Sequence, residues 1–262
     1  MTKTSSGNFF EDFRLGQTIR HATPRTITHG DVALYCGLFG GRFAVPSSAA
    51  FAKAIGYPDA PIDDLLVFHI VFGKTVPDVS LNAIANLGYA GMQFLAPVFA
   101  GDTLSSTSEV IGLKENSNRK TGIVYVRTRG FKQDGTAVLE YARWVMVRKR
   151  DDSAPAPGDH VPRLPTFVEA RLLGAACPPL DMKAYDLALS GSPYRFGDYQ
   201  VGEKIDHVDG MAVEEAEHQM ATRLWQNTAK VHFNLFAQTH NELIATKNNS
   251  RDLSGFFSVS EF

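Results

Sequence analysis

FEDFRLGQTIRHATPRTITHGDVALYCGLF (residues 10–39) and FGDYQVGEKIDHVDGMAVEEAEHQMATRLW (residues 196–225) align without a gap, 186 positions apart. Phe10/Phe196, Asp12/Asp198, Gly16/Gly202, Ile19/Ile205, His21/His207 and Leu38/Leu224 are identical pairs. Apolar class is kept at Phe13/Tyr199, Leu15/Val201, Ile27/Val213, Leu34/Met220 and Phe39/Trp225. Single identities arise by chance. Thirty consecutive positions that hold the apolar phase point to a duplicated module.

The first module reads as α+β. GDVALYCGLF and SSAAFAKAIG read as short helices, and APIDDLLVFHIVFGKTV as a longer one, apolar on most sides and so buried. DTLSSTSEVIGL, KTGIVYVRTRGF and AVLEYARWVMVRKR read as strands. The turn signals ENSNRK and KQDG between them favour an antiparallel meander. A buried helix followed by long antiparallel strands predicts a sheet wrapped around that helix.

The stretch RDDSAPAPGDHVPRLPT (150–166) is rich in proline and poor in apolar residues, as a linker is. The expected division is a first domain over 8–150, a linker over 151–190, and a partial second domain over 191–262 whose last part, 235–262, diverges. At the repeat offset the buried helix of the first module should recur at 248–262. NNSRDLSGFFSVSEF stands there instead and places Asn248, Arg251 and Asp252 opposite Ile62, Leu65 and Leu66. The second unit is therefore expected to be incomplete.

Composition excludes some functions. A formal charge of −2 leaves no basic surplus to neutralise a nucleic-acid backbone. The longest apolar run, LLVFHIVF (65–72), is too short to span a bilayer, and the first residues lack the apolar core of a signal peptide. Two distant cysteines, Cys36 and Cys177, show no metal spacing. The expectation is a cytoplasmic protein with no metal, no nucleic-acid partner and no membrane partner.

In QNTAKVHFN (226–234), His232 follows the amide of Asn227 by five positions. At the repeat offset these positions hold Gly41 and Pro46 in the first module, so amide and imidazole exist only in the second. One site kept and the other lost fits a functional pair. His21 and His207 match each other and read as structural. His69 reads as a core histidine, and His218 as an exposed one.

Further segments carry a resemblance: NFFEDFRLGQTI, HATPRTIT, APIDDLLVFHIVFGKTVPDVSLNAIANLGYAG, GDTLSSTSEVIGL, LEYARWVMVRKRD, VGEKIDHVDGM and ATRLWQNTAKVHFN. Over about residues 7–234 the chain resembles the mesaconyl-CoA hydratase (β-methylmalyl-CoA dehydratase) family of MaoC-like double hot-dog hydratases. The resemblance implies a hot-dog fold, a long helix wrapped by a curved antiparallel sheet, with a CoA thioester bound between two such units. It implies reversible hydration of mesaconyl-CoA, an acyl-CoA partner, no cofactor, and a homo-oligomer.

The family's motif has an aspartate, four intervening residues and a histidine. His232 falls on the motif histidine, Asn227 on the aspartate, Ala229 on an asparagine and Lys230 on a proline. Asn227 cannot accept a proton and could only orient water or substrate. A second carboxylate would be repelled by the free carboxylate of the substrate in a dry pocket, and an amide avoids this. Arg42, Arg223 and Lys230 are sequence neighbours that could meet the substrate anion, although a solvated role is the plainer one. The resemblance also assigns Asp63, Asp64, Leu65 and Leu66, with Ala85, Asn86, Leu87 and Gly88, to a groove for the acyl and pantetheine parts. Turn glycines are an equally simple reading of Gly88 and Gly91. The competing functions are an inactive CoA-thioester-binding fragment and, with less support, a hot-dog thioesterase.

Overall fold

In the computed structural model, which describes residues 3–172, 174, 176–208 and 210–234, the first module has one sheet and one central helix. In chain order its elements are β1 (Thr18–Thr26), α1 (His29–Phe39), α2 (Ala44–Ser47), α3 (Ala49–Ala54), α4 (Asp64–Thr75), β2 (Ala83–Phe94), β3 (Thr103–Glu115), β4 (Thr121–Phe131) and β5 (Ala137–Arg148). The sheet order is β1-β3-β4-β5-β2, with every neighbouring pair antiparallel. The meander β3-β4-β5 is the one the turn signals predict. An antiparallel sheet around one long helix is the α+β hot-dog arrangement.

Helix α4 starts where Asp63 caps it, its Oδ1 accepting the Leu65 N–H at 2.9 Å. Ten consecutive residues, Leu66–Thr75, are buried. A helix buried on all sides needs protein on all sides. The sheet covers one side, and Gly130 on β4 leaves room for Val71, which would lie 2.6 Å from an added Cβ. Beyond Thr75 the helix widens into a π turn, Val76–Ser80, where Pro77 lacks the N–H that a regular helix would use.

Edge strand β2 holds the segment 83–91. Gly88 is a strand residue paired with Trp144, and a Cβ there would lie 2.5 Å from the Trp144 ring. Gly91, at φ +61, is the residue over which Pro165 passes. The segment after β5 is laid over the sheet: His160 and Leu113 exchange backbone hydrogen bonds of 2.7 and 2.8 Å, and Pro162 lies on Gly112. It then reaches α3, where Asp181 N donates to Ile55 O at 2.9 Å.

Two further helices follow, α5 (Leu187–Ser190) and α6 (Glu215–Leu224). The repeat reappears here as backbone geometry. Phe9 N donates to Asp12 Oδ2, and Arg195 N to Asp198 Oδ2. Arg14 N meets Gln17 Oε1, and Gln200 N meets Glu203 Oε2. Thr28 N meets Asp31 Oδ2, and Glu214 N meets Glu217 Oε2. Helix α6 lies at the repeat offset from α1, and the left-handed Gly40 (φ 61) recurs as Gln226 (φ 58).

Burial does not repeat. Phe10 is fully buried and Phe196 is 92% exposed. No strand occurs among the described residues after β5. The segment 235–262, including the stretch expected to replace a second central helix, lies outside the described residues.

Candidate active site

Helix α6 and the turn after it cover the side of α4 that the sheet leaves open. The Trp225 ring stacks on His69 of α4 (centroids 4.2 Å apart, 22°) and on Phe39 of α1 (5.8 Å, 21°). Gly73 makes this contact possible: a Cβ there would lie 2.0 Å from Trp225 O and 3.3 Å from Asn227 N. His69 is a core residue, as its place on the apolar helix suggests. Burial lowers its pKa to about 4, so it is neutral near pH 7.

Asn227 is buried and held from both sides. Helix α6 ends in a Schellman motif, with Asn227 N donating to Thr222 O and Gln226 N to Arg223 O, Gln226 being the left-handed residue. The Asn227 side chain then opens the next turn, its Oδ1 accepting the Ala229 N–H at 2.9 Å. With its oxygen so engaged, the amide nitrogen is the group that can meet a water or substrate.

That turn leads into one 3-10 turn, Lys230–His232. His232 is partly buried, and its ring meets His218 edge to face at 5.4 Å. Its Nδ1 is buried without a hydrogen-bond partner among the described residues. Burial, then the nearby His218, lowers its pKa to about 4. A neutral imidazole near pH 7 can accept a proton from water.

His218 is the residue sequence reasoning misplaced. It was expected at the surface and is half-buried against His232. The signal was its spacing: 218, 221, 222 and 225 share one helix face, and Ala221, Thr222 and Trp225 on that face are buried. His21 has the structural role expected. Its ring bridges Asp78 Oδ2 and Ser108 Oγ, each at 2.7 Å, and ties β1 to the π turn and to β3.

The residues assigned to the groove form two sets. Asp63, Asp64, Leu65 and Leu66 start α4, whereas Asn227 meets Gly73 nine residues later, about 13 Å along the helix axis. Asp63 also accepts the Tyr35 hydroxyl at 3.4 Å, and burial, then Asp63, raises the pKa of Asp64. The Leu65 N–H, a potential donor to a thioester oxygen, already serves the cap. Ala85, Asn86, Leu87 and Gly88 lie on β2. Leu87 is 39% exposed, and the buried Asn86 Oδ1 has no hydrogen-bond partner among the described residues. Arg42, Arg223 and Lys230 are exposed. Among the described residues there is no group of three or more metal-ligating side chains, and no helix long and apolar enough to cross a membrane.

A sequence model described as mesaconyl-CoA hydratase matches residues 1–166. A β-methylmalyl-CoA dehydratase of Chloroflexus aurantiacus is 64% identical over 238 residues, covering 90% of this chain and 67% of the relative. A mesaconyl-CoA hydratase of Cereibacter sphaeroides is 62% identical over 231 residues, 88% of this chain and 67% of that one. The crystal structure of a MaoC domain protein dehydratase from Chloroflexus aurantiacus superposes with a TM-score of 0.88 at 61% identity, covering 93% of this chain and 69% of that chain. A Mycobacterium tuberculosis protein with a double hot-dog fold superposes at 0.74 with 25% identity, over 87% and 69% of the two chains. The chain thus spans about two thirds of the length of these relatives. Its sheet-wrapped helix and these likenesses together place it in the mesaconyl-CoA hydratase family.

Proposed function

We propose that this chain adds water to mesaconyl-CoA and, in reverse, dehydrates β-methylmalyl-CoA. The observation that carries this reading is the 62–64% identity to enzymes of those names over about nine tenths of the chain. The geometry adds a neutral, partly buried imidazole five residues from a buried amide that rests on the central helix. His232 takes a proton from water as the oxygen adds to the double bond, and returns a proton to the neighbouring carbon. Asn227 orients water or substrate through its amide nitrogen. Asp63, Asp64, Leu65 and Leu66, with Ala85, Asn86, Leu87 and Gly88, line the way for the acyl and pantetheine parts.

We assign the domains as 8–150, a linker over 151–190, and 191–262. The duplicated hydrogen bonds on either side of the linker support that division. The reaction draws on no cofactor beyond the CoA of its substrate. We place it in the cytoplasm, which suits the free thiols of Cys36 and Cys177. A homo-oligomer suits the long edge strand β2 and the exposed Phe196 and Val201.

The test follows the absorbance of the conjugated thioester after mesaconyl-CoA is added to the purified chain. Decay that His232→Ala slows by roughly 10²-fold or more supports the assignment. Absence of decay with retained thioester binding would leave the inactive binding fragment as the function.

A further inference from the structure

His232 has a second imidazole against it. The His218 ring of α6 meets it edge to face, with centres 5.4 Å apart and planes at 66°. Ala221, Thr222 and Trp225 share the helix side of His218 and are buried, and His218 is half-buried beside them. Thr222 serves both parts of this arrangement. Its Oγ1 donates to His218 O at 2.9 Å, and its carbonyl accepts the Asn227 N–H at 3.0 Å. One turn of α6 therefore carries His218, anchors Asn227 and backs His232.

The duplication marks His218 independently. At the offset of 186 positions it falls on Val32 of α1, an apolar residue packed against the hydrophobic core. Asn227 and His232 fall on Gly41 and Pro46. All three polar groups are confined to the module that holds the site. A side chain that only fills space on this helix face can be aliphatic, as Val32 is.

The chemistry of the pair follows from its spacing. Asn227 cannot take up a proton, so His232 does so alone, and only while it is uncharged. Two imidazolium ions across so short and partly buried a gap repel, so the pair binds its second proton less readily than its first. Burial lowers the pKa of both rings, and His218 lowers that of His232 further. The other charged or titratable groups nearby are turned to other uses. Glu214, Glu215, Arg223 and Lys230 are exposed, Glu217 Oε2 accepts the Glu214 N–H, and His69 faces the Trp225 ring. On α1, Asp31 is paired with Arg25.

We infer that His218 is a positioning residue for the hydration step: it fixes the plane of the His232 ring and, as the first of the two to be protonated, keeps that imidazole free to accept the proton of water. The inference rests on the hydratase reading above.

The test is the pH profile of kcat/KM on mesaconyl-CoA for the whole chain, His218→Gln and His218→Lys. Glutamine leaves a neutral polar group, and lysine restores the charge without the ring. The plateau near pH 8 should fall roughly tenfold in both, because the ring is no longer held. The acid limb should move up by roughly 0.5–1 pH unit in His218→Gln alone and stay in place in His218→Lys. An acid limb unmoved in His218→Gln, or moved alike in both variants, is what a merely structural role gives, and overturns the inference. The same quantity is read without turnover by NMR of chain labelled with 13C in its histidine rings. There the His232 midpoint should rise in His218→Gln and hold in His218→Lys, and equal midpoints in all three chains overturn the inference. A wild-type chain that leaves mesaconyl-CoA unchanged refutes the hydratase reading, and the ring titration then decides whether His218 controls His232. Should circular dichroism show His218→Gln unfolded, the wild-type titrations decide: His232 must titrate below His218, and the reverse order overturns the inference.

Discussion

Replacing Gly73 by alanine isolates the contact between the central helix and the segment that carries Asn227 and His232. The new Cβ would stand 2.0 Å from Trp225 O, where real contacts stop near 3.0 Å, so helix and turn must separate by about 1 Å or more. Within α4 itself alanine is favourable, by about 1 kcal/mol in a helix interior. Overpacking at the docking contact costs roughly 1–3 kcal/mol, so the net change in stability stays small. Function has no such compensation, because a catalytic group displaced by 1 Å loses roughly 10²-fold in rate. The expected outcome is near-native circular dichroism, a red-shifted Trp225 emission measured in a Trp144→Phe background, and kcat/KM on mesaconyl-CoA down about 10²-fold. Trp225 is suited to this readout because it is buried against His69 and Phe39. Unchanged emission and unchanged turnover would mean that residues 225–227 do not rest on α4, and the site as described would fall.

Two further perturbations probe charge. Asn227→Asp keeps an oxygen for the Ala229 N–H but puts a carboxylate at a 7% exposed position close to a dicarboxylic substrate. Turnover of mesaconyl-CoA should fall roughly 10²-fold, and undiminished turnover would refute the repulsion argument. Stability should fall in acid through His69, whose pKa drops from 6.5 to about 4 on folding. Between those values the unfolded chain binds the extra proton, so this contribution is complete above pH 6.5 and is lost progressively down to about pH 4. His232, lowered to the same value, adds a like amount, so urea midpoints should show a loss of about 4 kcal/mol at pH 5 relative to pH 7, of which His69→Gln removes about half. An equal pH dependence in that variant would contradict it.

What could be read from sequence alone divides along a physical line. The meander β3-β4-β5 was legible because alternation and turn residues are local signals, and α4 because its apolar residues run on every side. Strand β2 was not, because alanine, asparagine and two glycines blur its alternation, and its pairing with β5 comes from distant residues. The pair His232 and Asn227 stood out through asymmetry between the modules. His218 was hidden, since only the face shared with Trp225 reveals it.

The two modules show which parts of a structure a segment carries by itself. The caps at Asp12 and Asp198, at Gln17 and Glu203, and at Asp31 and Glu217 close over three residues, and each is formed in both modules. Strand β1 instead depends on β3, more than seventy residues away, and its counterpart has no strand partner among the described residues. Between these extremes lies the end of α6. Gln226 holds a left-handed conformation that glycine adopts without strain and that costs an ordinary residue on the order of 1 kcal/mol. The first module uses Gly40 at this point and places no imidazole after it. The second accepts the strain at Gln226, and the chain direction it sets brings the Asn227 backbone onto α4 and His232 toward His218. Strain kept where the matching glycine serves no site fits a backbone selected for the turn it makes rather than for stability.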